Sequence, residues 1–398
     1  MDLFPYRVDE LRARCEEIDA WRNQLDARGP LPRTWNGRLR RDLEAEAIAA
    51  STRMEGVNVT LDEVRRILAG EHPASVEADD IGLVEGYKNA MSFVLRSADD
   101  PAFRWDRGLI TGLHDRVLAS RWDMGAGHLR TESPVWIVNR RTGEEVFLPP
   151  TDDVPELVDQ ICGRMAEGHD HPAIASAWIH VALAAVHPFR DGNGRSSRIL
   201  ASLAMYRGGF KRPEFTSAEE WWGRHLDDYY GLFACLGREF DPTTEVTPFI
   251  YGHIDAQLHQ VRALDVLLRA QQQIWIAVEQ AAEEASLDRR LANALWEAFF
   301  GRDVTAGYYR ALADVSPATA TNDLAAATAA GLLRSVGNRR ARRYLPGPAL
   351  YAAVADILFI VSLDPETARE RVIHELTRRL TTTGEAFGFA RRPFSDDE

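Results

Sequence analysis

The sequence is poor in cysteine and has no long apolar run. Its three cysteines, Cys15, Cys162 and Cys235, are far apart and odd in number, which excludes a disulfide framework and a multi-cysteine zinc site. The most apolar stretch, "ILFIVSL" near residue 360, is too short to span a bilayer, and the first residues lack the apolar core of a signal peptide. We therefore expect a reduced, cytoplasmic protein with no membrane partner.

The chain also lacks an excess of positive charge, internal repeats and low-complexity segments. Its net charge of −13 argues against a general coat for nucleic acid or membrane surfaces, although one local basic face remains compatible with it. The 398 residues suit two or three domains. Composition thus indicates an ordinary globular protein and leaves the function to local motifs.

Helical periodicity dominates the sequence. "AIASAWIHVALAAV" has apolar residues at i, i+3 and i+4 spacing, which predicts a helix with a buried stripe, and "HQVRALDVLLRAQQQIWIAVEQAAEEA" predicts a second, long helix. The clear strand signal is "PVWIVNRRTGEEVFLPP", which predicts a β-hairpin ended by Pro149 and Pro150. We expect a mainly α fold with one small hairpin.

The stretch "HPFRDGNGRSSR", residues 187–198, lies between two predicted helices. Gly192 and Gly194 permit unusual dihedral angles and leave room for a ligand beside the backbone. A helix that starts near Gly194 directs free N–H groups and a positive dipole end at an anion. Arg195 and Arg198 lie near one face of its first turn, so both can reach the same oxygen atoms. The stretch therefore predicts a polyphosphate site.

Three other side chains complete this site. Asp191 is a candidate Mg²⁺ ligand, because magnesium on a nucleotide takes one or two protein carboxylates besides phosphate oxygens and water. The amide of Asn193 can donate to a phosphate, and His187 supplies a base that is neutral near physiological pH. A lone histidine or a glycine turn is usually structural, so the inference depends on the whole constellation.

This stretch resembles the Fic family motif HxFx(D/E)GNGRxxR and fills every specified position. The resemblance implies an enzyme that moves AMP from ATP to a protein hydroxyl, in a core covering roughly residues 30 to 250. It also implies a role for each residue: His187 as the base, Phe189 as the anchor of the loop, Asp191 as the Mg²⁺ ligand, Gly192, Asn193, Gly194 and Arg195 at the α- and β-phosphates, and Arg198 at the γ-phosphate. Gly194 favours AMP transfer, because Doc-like phosphotransferases have lysine there.

Two further regions are similar to Fic proteins. The predicted hairpin, residues 135–148, together with Arg130 upstream, resembles the flap that holds a target protein by strand addition. Tyr229 and Tyr230 resemble a doublet beside the nucleotide, where they would flank adenine or ribose, although core packing explains one of them equally well. We expect His180, seven residues before His187, to be structural.

Glu55 stands at the end of a predicted helix, where a carboxylate is electrostatically unfavourable. The segment "STRMEG", with Ser51, Glu55 and Gly56, resembles the inhibitory motif (S/T)xxxE(G/N) of many Fic proteins, with Met54 where isoleucine is commoner. This implies that Glu55 pairs with Arg198 and takes the place of the ATP γ-phosphate. Downstream, Thr60 and Glu63 form a T-x-x-E pattern that predicts a capping box.

Residues 286–347 predict a different module. Two helical runs, the segment "VSPATATNDLAAATAAGLL" and the basic turn "NRRARR" resemble a winged helix-turn-helix. In this reading Ser316 and residues 319–323 open the recognition helix, Gly331 ends it, and the wing carries Arg339, Arg340, Arg342 and Arg343. The basic balance suits a phosphate-facing patch, but winged helices in enzymes also serve dimerisation or protein docking.

The sequence thus predicts a segment with the inhibitory motif (1–90), a Fic catalytic domain (91–255), a linker helix (256–285), a winged-helix-like domain (286–347) and a helical tail (348–398). We expect a protein adenylyltransferase that uses ATP and Mg²⁺ and modifies a Tyr, Thr or Ser hydroxyl of a target protein or of itself. Two alternatives stay open: a de-AMPylase in which Glu55 orients water, and a nucleotide-sensing transcriptional regulator. A homodimer and DNA binding through the winged helix are further open expectations.

Overall fold

The computed structural model describes residues 3–27, 33–131, 136–138, 142–212, 215, 218–338, 342–360 and 365–380. The chain divides into two compact units, Met1–Val261 and Arg262–Glu398. Among the described residues, no helix combines the length and the apolar character needed to cross a membrane.

The helices that begin in the first unit include those that carry the candidate site. They are α1 (Val8–Ala27), α2 (Arg33–Met54), α3 (Leu61–Leu68), α4 (Ala78–Ala98), α5 (Arg107–Val117), α6 (Val154–Glu167), α7 (Pro172–Val186), α8 (Asn193–Arg207), α9 (Ala218–Arg224), α10 (Leu226–Leu232) and α11 (Thr247–Glu284). The prediction of a mainly helical fold is confirmed. The predicted domain limits at 90/91 and 255/256 fall inside α4 and α11 and stay predictions.

Helix α7 lies at the centre of this core. The sequence predicts one buried stripe, but every residue from Ala173 to Val186 except Ala175 and Ala184 is buried. The buried surface extends around the helix because α1, α6 and α8 all pack against it. The loop that leaves α7 and enters α8 is therefore attached to the most constrained part of the unit.

Helix α2 ends at the predicted inhibitory segment. Gly56 follows with a φ of +82°, which a glycine adopts without strain. The helix packs along α9, where a Cβ on Gly223 would lie 2.6 Å from the Cβ of Ala50, so glycine permits this close approach. The predicted capping box at α3 is confirmed: Thr60 Oγ1 accepts from the Glu63 N–H, and the Glu63 carboxylate accepts from the Thr60 N–H at 2.9 Å.

The predicted hairpin is present as two short antiparallel strands, β1 (Ile137–Val138) and β2 (Glu145–Phe147), with Ile137 opposite Phe147. Residues 135 and 139–141 of the predicted flap lie outside the described residues. After β2, the Leu148 N–H donates to the Arg238 carbonyl at 2.8 Å, which ties the end of the hairpin to the segment before α11.

The second unit contains a helix–turn–helix and a two-stranded antiparallel ribbon. Its elements are α12 (Ala292–Phe299), α13 (Ala306–Ala313), α14 (Pro317–Ala329), β3 (Leu333–Val336), β4 (Arg343–Pro346), α15 (Pro348–Ile357) and α16 (Pro365–Leu380). Ser316 caps α14 by accepting from the Thr319 N–H. Arg342 and Arg343 are exposed, whereas Arg339 and Arg340 lie outside the described residues. The assignment as a winged helix stays a prediction.

Candidate active site

The loop between α7 and α8 turns through two residues in the left-handed region, His187 at φ 48° and Gly192 at φ 76°. Gly192 is the residue before α8, so the turn directs the first N–H groups of that helix at the site. A side chain at 192 would be strained by this backbone, and its Cβ would lie 3.2 Å from His114 Nε2. The glycine is therefore required by conformation and by space.

The side chain of Asn193 forms hydrogen bonds within the loop. Its Oδ1 accepts from the Phe189 N–H at 2.9 Å and its Nδ2 donates to the Phe189 carbonyl at 2.8 Å. The buried side chain thus bonds the backbone of Phe189, and the expected phosphate contact of this amide stays a prediction. Asn193 instead fixes the shape of the turn that presents the other groups.

His114 on α5 is a site residue that the sequence analysis missed. The fully buried ring stacks on Phe189, with 3.6 Å between ring centroids and 3° between planes. Its Nδ1 accepts from the Gly127 N–H at 3.0 Å, so the proton resides on Nε2, which lies 2.8 Å from the Asp191 carbonyl. Burial lowers the pKa of His114 to about 4, which keeps the ring neutral. A single histidine in an amphipathic helix gives no sequence signal for this role.

The candidate base, His187, is positioned through its backbone. Arg130 Nε donates to the His187 carbonyl at 2.7 Å, and Arg130 Nη2 donates to the carbonyls of Val186 and Pro150. Burial lowers the pKa of His187 to about 4, and a hydrogen bond to the Ala184 carbonyl partly opposes this shift. The imidazole is thus neutral at physiological pH and can accept a proton.

Asp191 and Arg195 form the polar rim of the turn. Asp191 Oδ1 accepts from the Gly192 N–H at 2.7 Å and lies 3.4 Å from Arg195 Nη2. The guanidinium of Arg195 is buried, and its Nε and Nη1 find no hydrogen-bond partner within the described part of the chain. A buried cation with unused donors is suited to an anionic ligand.

The donor set fits a metal carried by a nucleotide rather than a metal held by protein alone. Among the residues that the structure describes, no group of three or more His, Cys, Asp or Glu side chains could hold a metal ion. Magnesium on a nucleotide needs only one or two carboxylates from the protein. Asp191, partly exposed beside the α8 N-terminus, can provide one.

Arg198 and Glu55 meet beside this turn, although 143 residues separate them in sequence. Arg198 Nη2 lies 2.9 Å from Glu55 Oε1, and the two side chains are 3% and 16% exposed. Arg198 also donates from Nε to Ser51 Oγ at 2.9 Å and from Nη2 to the Ser51 carbonyl at 3.1 Å. A Cβ on Gly194 would overlap with Glu55 Oε1, so this glycine makes room for the carboxylate.

The tyrosine doublet is divided between two roles. Tyr229 is buried behind Arg198, whose Nη1 lies 3.2 Å from the Tyr229 hydroxyl, so this tyrosine has the core-packing role that the sequence analysis allowed for one of the two. Burial raises the pKa of Tyr229 to about 12 and keeps the hydroxyl protonated. Tyr230 is exposed and donates to the Met54 carbonyl at 3.0 Å, within the predicted inhibitory segment. His180 is buried, as expected, with Nε2 3.0 Å from the Tyr229 hydroxyl.

Comparison with known proteins agrees with this geometry. Residues 104–205 match the model of the Fic/DOC family. "Protein adenylyltransferase fic-1" of Caenorhabditis briggsae is 32% identical over 120 residues, which cover 29% of this chain and 23% of that protein. "Protein adenylyltransferase Fic" of Nematostella vectensis is 26% identical over 219 residues, covering 51% of this chain and 44% of that protein. The chain thus spans less than half the length of these two relatives.

A solved structure extends the likeness to most of the chain. The crystal structure of a Fic family protein from Desulfovibrio desulfuricans G20 matches with a TM-score of 0.56 and 19% identity, covering 87% of this chain and 98% of that one. At this identity the likeness concerns the fold. The chain therefore has a mainly helical, Fic-like fold in which residues 104–205 match the Fic/DOC domain and the HPFRDGNGRSSR turn lies at the candidate active site.

Proposed function

We propose that this protein is an adenylyltransferase that moves AMP from ATP to a Tyr, Thr or Ser hydroxyl of a target protein or of itself, and that Glu55 inhibits the transfer. One observation carries the proposal: a carboxylate oxygen already lies against Gly194 and Arg198, where α8 begins. The site therefore accepts negative oxygens at the position proposed for the terminal phosphate of ATP. The names of the relatives agree with this reaction class.

The reaction uses the groups around the turn. The neutral His187 ring takes the proton from the target hydroxyl as the hydroxyl oxygen forms a bond to the α-phosphorus of ATP. The bond between that phosphorus and the oxygen bridging to the β-phosphate breaks, and pyrophosphate leaves. Arg195 and the N–H groups at the start of α8 stabilise the negative charge that develops on the phosphates. Asp191 would hold Mg²⁺, whose charge neutralises part of the triphosphate.

The proposed inhibition requires more than an exposed ion pair can supply. A hundredfold suppression of the productive ATP pose requires about 2.7 kcal/mol. An exposed ion pair supplies roughly 0.2–1 kcal/mol, which is insufficient. Here the pair is largely shielded from water, and Glu55 Oε1 also fills space beside Gly194. Shielding and steric exclusion both support an inhibition stronger than that of an exposed pair.

We also propose that the target protein binds along the hairpin, residues 135–148. Val138 and Val146 are exposed on its two strands, and beyond β2 the position next to Leu148 is taken by Glu239. An extended segment of the target protein would therefore pair with the edge of β1 that does not face β2. In that position a hydroxyl of the segment could reach His187.

A label-transfer assay tests the proposed reaction. Glu55→Gly is incubated with ATP labelled at the α-phosphate and, separately, at the γ-phosphate. We expect the α-label to appear on protein at a rate about a hundredfold above wild type, in keeping with about 2.7 kcal/mol of inhibition, and the γ-label to stay off. Glu71→Gly, in the exposed turn after α3, is the matched control and should behave as wild type.

Three results would contradict the proposal. Equal rates for Glu55→Gly and wild type would refute the inhibitory role, and γ-label on protein would indicate phosphotransfer. Full activity in a Glu55→Gly, His187→Ala double variant would refute the role of His187 as the base.

The reverse reaction is a second candidate, because Glu55 and His187 are close enough to interact electrostatically. A water molecule between them could attack an AMP-modified residue. Incubating AMP-modified target with wild type and with Glu55→Gly separates the two reactions: AMP removal by wild type only would favour hydrolysis.

A further inference from the structure

Behind Arg198 lies a small pocket lined by residues of α7, α8, α9 and α11. It offers about 20 Å³ to the centre of a water molecule, and one buried water needs roughly 10–15 Å³ by the same measure. The lining residues that matter here are Ser176, His180, Arg198, Trp222, His253 and Gln257.

Five polar atoms of these residues find no hydrogen-bond partner among the described residues. All five side chains are more than nine-tenths buried. The atoms are Ser176 Oγ, His180 Nδ1, Trp222 Nε1, His253 Nδ1 and Gln257 Oε1. Buried polar groups are almost always satisfied, by ordered water where protein atoms are not available, so their convergence on one cavity points to a ligand.

The hydrogen-bonding chain from Arg198 determines the chemistry of this ligand. Arg198 Nη1 donates to the Tyr229 oxygen, which leaves the hydroxyl proton free to be donated to His180 Nε2. His180 then carries its own proton on Nδ1, at the cavity. The indole N–H of Trp222 is a second donor, while Gln257 Oε1 is an acceptor and Ser176 Oγ can serve as one. These two donors and two acceptors match the four hydrogen bonds of one water molecule, and His253 Nδ1 is a fifth polar atom at the cavity that lies outside this set.

We propose that this cavity holds a buried water molecule that accepts a hydrogen bond from the Nδ1–H of His180, and that His180, acting through Tyr229, is a positioning residue for Arg198. The second half of this inference rests on the proposed function, in which Arg198 binds the terminal phosphate of ATP. Ser51 and Glu55 contact Arg198 from the inhibitory side through Nε and Nη2. The contact through Nη1 does not depend on Glu55, so in this proposal Tyr229 and His180 act together with Ser51 to keep the guanidinium in place for phosphate.

The presence of the buried water and the tautomer of His180 are tested without nucleotide. A high-resolution crystal structure of the full chain should show ordered water bonded to His180 and Gln257, and the imidazole nitrogen NMR shifts should report a neutral Nδ1–H tautomer. A protein side chain in place of water, or a proton on His180 Nε2, would overturn the proposal.

The second half is tested by comparing ATP with AMP, which lacks the terminal phosphate. In the Glu55→Gly background, His180→Phe should weaken ATP binding about tenfold and leave AMP binding unchanged, whereas His180→Gln, which can accept from Tyr229 and donate to water, should recover most of the loss. His253→Phe is the matched control, because His253 lines the same cavity but has no bond to Tyr229; less than a twofold effect is expected. Tyr229→Phe should add little to His180→Phe, since the two act in series.

The outcomes also separate this inference from the proposed function. Equal losses of ATP and AMP affinity in His180→Phe would show that His180 serves only in packing and would overturn its positioning role. If Glu55→Gly binds neither nucleotide, the proposed function fails, while the tautomer and the buried water are still decided by the first experiment.

Discussion

Replacing Glu55 by glutamine separates charge from steric exclusion in the proposed inhibition. Glutamine keeps nearly the same volume and can still accept a hydrogen bond from Arg198, but it is neutral. A hydrogen bond to a charged group contributes about 1.5–3 kcal/mol and a neutral one about 0.5–1.5 kcal/mol, so the change removes about 1–1.5 kcal/mol. That difference corresponds to about tenfold in the occupancy of the inhibited pose.

We therefore expect Glu55→Gln to transfer AMP about tenfold faster than wild type and about tenfold slower than Glu55→Gly. The assay is initial-rate transfer of the α-label to protein at a fixed ATP concentration, with thermal unfolding measured in parallel to confirm that each variant is folded. A Glu55→Gln rate equal to wild type would refute the argument that the shielded charge contributes. A rate equal to Glu55→Gly would refute the argument that the carboxylate oxygen beside Gly194 also acts by volume.

Two further predictions concern histidines near the turn. Because burial lowers the pKa of His187 to about 4, the rate of Glu55→Gly should stay level from about pH 8 to pH 5 and fall only as the pH approaches 4; a decline centred near 6.5 would mean that His187 titrates normally or is not the base. The stability of the fold should also decrease as the pH falls. Below about pH 6.5 the unfolded chain binds protons on His187 and His114, whereas the folded protein does not bind them until about pH 4. The melting temperature should therefore drop between pH 6.5 and 4. His114→Phe retains stacking on Phe189 but leaves the Gly127 N–H and the Asp191 carbonyl unpaired, which should lower the free energy of unfolding by about 1–3 kcal/mol and slow AMP transfer in the Glu55→Gly background; unchanged rate and melting temperature would show that His114 does not hold the turn.

The sequence predicts the local parts of this site well. Gly192 and the start of α8 follow from dihedral freedom and helix termination, which neighbouring residues determine. The contact between Glu55 and Arg198 was predicted only through the family resemblance, because no periodicity or spacing rule relates residues so far apart.

What the sequence does not show has one physical origin. An amide in a glycine turn predicts a phosphate donor, whereas the bonds that Asn193 makes to the Phe189 backbone follow only from the folded loop. Tyr229 and His114 depend on which helices pack together, and a single sequence does not specify that packing. Buried residues that support the site residues by packing and hydrogen bonds are therefore harder to predict than residues that line the opening of the site.

The contacts of α2 suggest how the proposed inhibition would be relieved without moving a helix. Arg198 holds the backbone and hydroxyl of Ser51, and Tyr230 holds the carbonyl of Met54, so the end of α2 is attached independently of the Glu55 carboxylate. In the proposed mechanism, the Glu55 side chain takes the place of a terminal phosphate at Arg198. Because a side chain rotates far more easily than a packed helix moves, ATP has to displace one carboxylate rather than a structural element. Arg198 would then exchange a carboxylate for a phosphate while its bonds to Ser51 are kept. The strength of the proposed inhibition is therefore the difference between the free energies with which the Glu55 carboxylate and the phosphate bind this guanidinium.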